Sequence, residues 1–95
     1  MESLTHIFSI KAMLILLKTG RRMNMEELSM AMVEPRGSIV HAVDALRAAG
    51  LVAALERRGE PYEEEVYLTP MGRTVAEKLK EIEELVGWKG LGGIS

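Results

Sequence analysis

Arginine supplies the most distinctive chemistry in this chain. Arg21-Arg22, Arg36 and Arg57-Arg58 stand beside Gly20, between Pro35 and Gly37, and ahead of Gly59-Glu60-Pro61, so all five fall where the chain turns. A guanidinium is a planar fork of donors that matches phosphate oxygens two at a time, and on turns it points to contact with a polyanion rather than to bond making. Other constellations carry little chemistry. His6 and His41 are far apart, there is no cysteine, and no carboxylate set accompanies them at ligand spacing, so no metal site is expected. Glu63-Glu64-Glu65 falls on an edge hairpin, where charge discourages sheet-to-sheet pairing. The glycines of residues 87–93 lack the Lys-Ser/Thr and the strand-to-helix setting of a phosphate loop. No enzyme activity and no cofactor are expected.

The elements that hold these arginines can be read from the pattern around them. Ile39, Val43 and Leu46 recur on one helical face after Ser38, which suits an N-cap, and Gly50 supplies the left-handed stop. Leu51 to Leu55 is strand-like, Glu56 to Pro61 a charged turn, and Val66-Tyr67-Leu68 a second strand, which predicts a hairpin. Thr69 caps a further helix with Pro70 in its first turn. Upstream, Asn24 caps a short helix from Met25 to Met32, with Glu26 and Glu27 where the helix dipole favours anions. Pro35 ends that segment and Gly37 is expected to redirect the chain. Two helices joined so tightly make a helix-turn-helix, with Ser38 to Ala49 as its second, recognition-type helix.

The flanking helices speak to assembly. From Leu4 to Lys18 the stripe Ile7, Ile10, Leu14 and Leu17 is widened by Phe8, Ala12, Met13, Ile15 and Leu16 until the helix is apolar nearly all round. It falls well short of the ~20 apolar residues needed to cross a bilayer. A chain of 95 residues is expected to need a partner to cover it. In the last helix Val75, Leu79, Ile82 and Val86 step by four, three and four, as in a coiled-coil seam, and Leu85 widens the stripe. A homodimer through Ile7, Leu14, Val75, Leu79, Ile82 and Val86 follows as the expectation.

Composition agrees with one small domain. The chain is 47% hydrophobic but only 4% aromatic, an aliphatic core marginal for a lone chain. The seven methionines, Met13, Met30 and Met32 among them, suit core filling. Without cysteine or a signal peptide, a cytoplasmic location and no membrane partner are expected. Charge is uneven: residues 1–58 hold 8 Lys/Arg against 6 Asp/Glu and residues 59–95 hold 4 against 8, so +2 and −4 make up the net −2. Residues 1–86 are expected to form the domain, with 70–86 as its dimerisation helix and 87–95, including Trp88, as a flexible Gly-rich tail.

From Met25 to Arg73 the sequence resembles the winged-helix transcriptional regulators of the multiple-antibiotic-resistance, arsenic-resistance and phenolic-acid-regulator groups. Leu46-Arg47-Ala48-Ala49-Gly50-Leu51-Val52 is similar to their helix-to-wing junction, and Leu68-Thr69-Pro70-Met71-Gly72-Arg73 to their exit from the wing. The resemblance implies a mainly α fold with a small β-hairpin wing, dimerising through its first and last helices. It also implies a double-stranded DNA partner: Arg36, Ser38, Val40 and His41 toward the major groove, Arg57 and Arg58 at the backbone or minor groove, Arg21 and Arg22 on flanking phosphates. Two alternatives stand beside it, a winged helix that has lost DNA binding and recognises a protein, and a repressor that senses a small molecule at the dimer crevice.

Overall fold

The computed structural model describes residues 2–57 and 63–87. Along the chain it forms α1 (Glu2–Thr19), β1 (Met23–Asn24), α2 (Met25–Met32), α3 (Arg36–Ala48), β2 (Val52–Arg57), β3 (Glu63–Leu68) and α4 (Pro70–Val86). This is the expected winged helix-turn-helix, mainly α with a small antiparallel sheet. Arg58, the turn residues 59–62 and the tail from Trp88 onward lie outside the described residues.

Two helix starts obey the local chemistry of their caps. The Asn24 side chain accepts from the Glu27 amide at 2.7 Å while the Asn24 amide donates to the Glu27 carboxylate at 3.0 Å, a reciprocal capping box. Thr69 accepts from the Gly72 amide at 3.0 Å, and Pro70 takes the first helical position. The third start differs from expectation. Helix α3 begins at Arg36, with Pro35 as an extended N-cap lacking any side-chain bond, because the Pro35 carbonyl accepts from both Ser38 and Ile39. Ser38 therefore lies inside the first turn rather than capping it.

Gly37 is likewise helical, and the redirection expected there falls to Val33. Val33 adopts the left-handed conformation at φ 57, an uncommon choice for a β-branched residue. Backbone bonds from Val33 to Met30 and from Glu34 to Ser29 close the end of α2 around it. Lys11 then ties the turn to α1 through an ion pair with Glu34 at 3.4 Å.

The sheet runs β1-β3-β2, antiparallel throughout. Strand β1 has only two residues, too few to leave a periodic signature in the sequence. Its Met23 sits opposite Val66, and Val52 opposite Leu68, so Met23, Val52 and Val66 are buried on the inner face. The core they join includes Ala12, Met13, Ile15, Leu16, Leu28, Met32, Ile39, Val43, Leu46 and Ala76. Buried Ser9 donates to the Ala42 carbonyl at 3.4 Å, so even the polar residue of the α1 interior is satisfied against α3.

Helix α1 overturns part of the expectation about assembly. Residues 12–16 are buried in succession, and α1 packs against α2, α3, α4 and β3. The single chain thus covers the middle of this helix, Leu14 included, without a partner. None of the helices in the described residues is long and apolar enough to cross a membrane.

The capping box carries a pH dependence. The hydrogen bond from the Asn24 amide is the main cause that holds the Glu27 carboxyl below the usual carboxylate range; burial opposes it in part, and the Arg21 guanidinium adds to the lowering. A group lowered in the folded state contributes stability that is complete above its unfolded pKa and is lost as pH falls through its folded one. The melting temperature of Glu27→Gln should lie below that of the unmodified protein at neutral pH, and the gap should narrow through the acid carboxylate range. A gap unchanged by pH would assign the effect to shape rather than charge.

Candidate nucleic-acid interface

Helix α3 divides cleanly into two faces. Ile39, Ala42, Val43 and Leu46 are buried, and this apolar stripe fixes the helix on α1 and α2. Arg36, His41, Asp44, Ala45 and Arg47 are exposed, while Ser38 and Val40 are half-buried at the margin. The outward surface therefore carries Arg36, His41 and Arg47 beside the smaller Asp44 and Ala45, two arginines against one aspartate. Arg36 stands at its first turn with no ion pair among the described residues, its fork free for an outside acceptor.

The remaining arginines are placed differently from one another. Arg21 pairs with Glu27 at 3.2 Å and also donates to the Arg22 carbonyl at 3.1 Å. Arg22 pairs with Glu65 at 3.4 Å, from the loop before β1 to the neighbouring strand β3. Arg47 at the end of α3 pairs with Glu64 at 3.3 Å. The Arg21–Glu27 pair is solvent-exposed on both sides, and pairs of that kind contribute little to stability, on the order of 0–1 kcal/mol, so a phosphate could compete for it. The three carboxylates nevertheless offset the positive charge locally. Arg57 ends β2, and Arg58 lies outside the described residues.

The junction between α3, β2 and α4 fixes how the hairpin leaves the helix. Gly50 adopts φ 76 and closes α3, with its amide donating to the Arg47 carbonyl at 3.0 Å. The Thr69 hydroxyl donates to the Gly50 carbonyl at 2.8 Å while accepting from the Gly72 amide. The Thr69 amide in turn donates to the Leu51 carbonyl at 3.1 Å. One residue thus fastens the end of α3 to the beginning of α4. Gly72 fits because a Cβ there would lie 1.8 Å from the Leu51 oxygen.

Sequence reasoning missed Arg73, although it belongs to the quoted wing-exit motif. The structure gathers Arg73 with Arg21 and Arg22 around a depression of about 450 Å³ whose walls include Leu16, Gly20, Leu55, Tyr67 and Leu68. Among the described residues no group of three or more His, Asp or Glu is placed to hold a metal ion.

The expected dimer residues separate into two sets. Val75 and Leu79 are half-buried against the chain's own core. Ile82 is 49% exposed and Leu85 85% exposed, and Ile7 of α1 is also exposed. Val86 closes α4. A groove of about 380 Å³ lies between the two helices, lined by Leu14, Leu17, Lys18, Lys80 and Glu83.

No protein-family model and no curated protein matches the sequence. Solved structures do. A MarR-family transcriptional regulator from Silicibacter pomeroyi is 25% identical, with a TM-score of 0.69, over 93% of this chain and 59% of that one. The transcriptional regulator BldR from Sulfolobus solfataricus is also 25% identical, with a TM-score of 0.68, over 88% of this chain and 62% of that one. A transcriptional regulator homologue from Pyrococcus horikoshii is 19% identical, with a TM-score of 0.71, over 90% of this chain and 94% of that one. The chain therefore spans about six-tenths of the first two and most of the third. It is a winged helix-turn-helix domain with the fold of the MarR-family transcriptional regulators.

Proposed function

We propose that the protein is a homodimeric transcriptional regulator that binds double-stranded DNA. The observation that carries this is α3: it is anchored by one apolar stripe, presents a polar outward face, and starts at Arg36, which makes no ion pair among the described residues. An α-helix fits the major groove, and an arginine at its N-terminal end can reach a guanine edge or a phosphate. Ser38 and His41 supply further polar groups at that surface, Val40 an apolar edge for a thymine methyl. Arg57 and Arg58 serve the backbone or minor groove, and Arg21 and Arg22 can exchange their carboxylates for flanking phosphates.

Dimerisation is supported by Ile82, Leu85 and Ile7, which the chain leaves exposed, and by the groove between α1 and α4. A second copy laid against the end of α4 would cover them. Two α3 helices would then face successive major grooves, roughly 34 Å apart.

The test is a duplex titration by fluorescence anisotropy at several salt concentrations. With about six phosphates contacted by the dimer, log K should fall against log salt with a slope near −5. Replacing Arg57 and Arg58 together by Ala should weaken binding to every sequence and flatten the slope by about one unit per lost contact, whereas His41→Ala should change sequence preference instead. Absence of duplex binding at low salt would end the DNA reading.

One observation favours the protein-binding alternative. Met30 and Val33 are exposed at the helix-turn-helix turn, and three nearby or adjoining arginines already hold glutamates. If duplex binding fails, this apolar turn becomes the leading surface.

A further inference from the structure

We infer that the outer face of α2 and the turn after it bind a second copy of this chain, through an interface separate from the α1–α4 surface. Glu26, Met30 and Val33 are spaced by four and three residues, so they share one face of α2. All three are exposed, Met30 by 74% and Val33 by 85%. Ala31 and Pro35, also exposed, widen the apolar part.

Val33 sets this surface apart from scattered apolar residues. It holds φ 57, a left-handed conformation that glycine or asparagine takes at lower cost than a β-branched residue. Its side chain gains nothing back from the core, because it stands almost wholly in water. A valine here is thus unfavourable twice over in the isolated chain, and burial against another molecule offsets the second cost.

The charges at the two ends select the occupant. Glu26 stands about 6 Å along the helix before Met30, at 1.5 Å per residue, and Arg36 follows Val33 by three residues. Neither makes an ion pair among the described residues. The stripe therefore runs acid, apolar, apolar, base. Turned about a two-fold axis between Met30 and Val33, it is its own complement: Met30 of one copy meets Val33 of the other, and each Glu26 faces an Arg36. The patch is small, so association through it alone is weak. Joined to the α4 contact proposed above, it links dimers to one another.

The surface goes beyond the DNA reading, and its test uses no DNA. The full chain carrying Ile82→Glu and Leu85→Glu, which removes the α4 contact, is followed by sedimentation and amide NMR from micromolar to millimolar concentration. Association should rise with concentration and shift the amides of Glu26, Met30, Ala31, Val33 and Arg36. In the same background Val33→Asn should keep its circular dichroism spectrum, melt no lower, and associate about tenfold more weakly, the factor expected for losing one buried valine. Glu26→Arg alone and Arg36→Glu alone should each suppress association by placing like charges opposite one another, and an equimolar mixture of the two should restore it. Amides that stay fixed up to millimolar concentration, or a Val33→Asn chain that associates as strongly as its parent, overturn the inference. Charge-reversed chains that stay monomeric when mixed overturn the second copy as occupant and assign the stripe to an outside partner.

Discussion

Gly72→Ala should be among the most destabilising single-methyl additions available in this protein. The new Cβ would meet the Leu51 carbonyl oxygen at 1.8 Å and its carbon at 2.8 Å, both backbone atoms that cannot rotate away. That oxygen is fixed by the Thr69 amide, so relief requires prising α4 from the start of β2. Overpacking of cores costs typically 1–3 kcal/mol and at times more, and a rigid backbone neighbour places this site at about 3 kcal/mol or above. For a domain of this size the melting temperature should fall by more than about 12 °C. Gly37→Ala provides the contrast: nothing lies within 4 Å of its Cβ and the residue is helical, so stability should rise by about 0.5–1 kcal/mol. Thermal denaturation of the two variants checks both signs, and a Gly72→Ala protein as stable as the original would remove the steric account of the junction.

The second large effect concerns assembly. Ile82→Glu combined with Leu85→Glu should convert a dimer to a folded monomer, because both side chains are exposed within the single chain. If DNA is held by two linked half-sites, separating them should reduce affinity by about a hundred- to ten-thousandfold. Leu79→Glu is expected to behave otherwise. Leu79 packs on the chain's own core, so a charge there should unfold the domain rather than merely split a dimer. Light scattering with circular dichroism distinguishes the outcomes. An unmodified chain that is already monomeric at working concentration, or a doubly substituted one that stays dimeric, would refute this interface.

Much of the architecture is legible in the sequence because particular residues allow few alternatives. Asn24 with Glu27, Thr69 with Pro70, and Gly50 after an apolar-striped helix each specify an end through local hydrogen bonding or backbone conformation. Where tertiary packing overrides local preference, the sequence misleads. Gly37 looks like a turn, but Ile39, Val43 and Leu46 drive α3 into the core strongly enough to carry the glycine into the helix. The left-handed residue is then Val33, which no propensity would select. Helix α1 looks uncoverable because its apolar residues surround it, yet α3, α4 and the sheet close over its middle.

The candidate site was legible in residue type and less so in position. Arg36 could be placed next to α3 from its turn, although the sequence puts it before the helix and the structure puts it in the helix's first turn. The partners of Arg22 and Arg47 could not, because Glu65 and Glu64 lie more than a dozen residues away and are brought near by the β1-β3-β2 pairing. The grouping of Arg73 with Arg21 and Arg22 depends on the same long-range geometry.

The Thr69 clamp turns α4 into a lever. Its fulcrum is the Gly50 carbonyl at the end of α3, and its arm is the 17-residue helix, about 25 Å long at 1.5 Å per residue. A tilt of about 10° at the fulcrum swings Ile82 through about 3 Å and Leu85 through about 4 Å, close to the ~3.4 Å rise of one base pair. In a dimer joined at those far ends, a small rotation at one threonine hydroxyl would thus change the half-site spacing by about one nucleotide step.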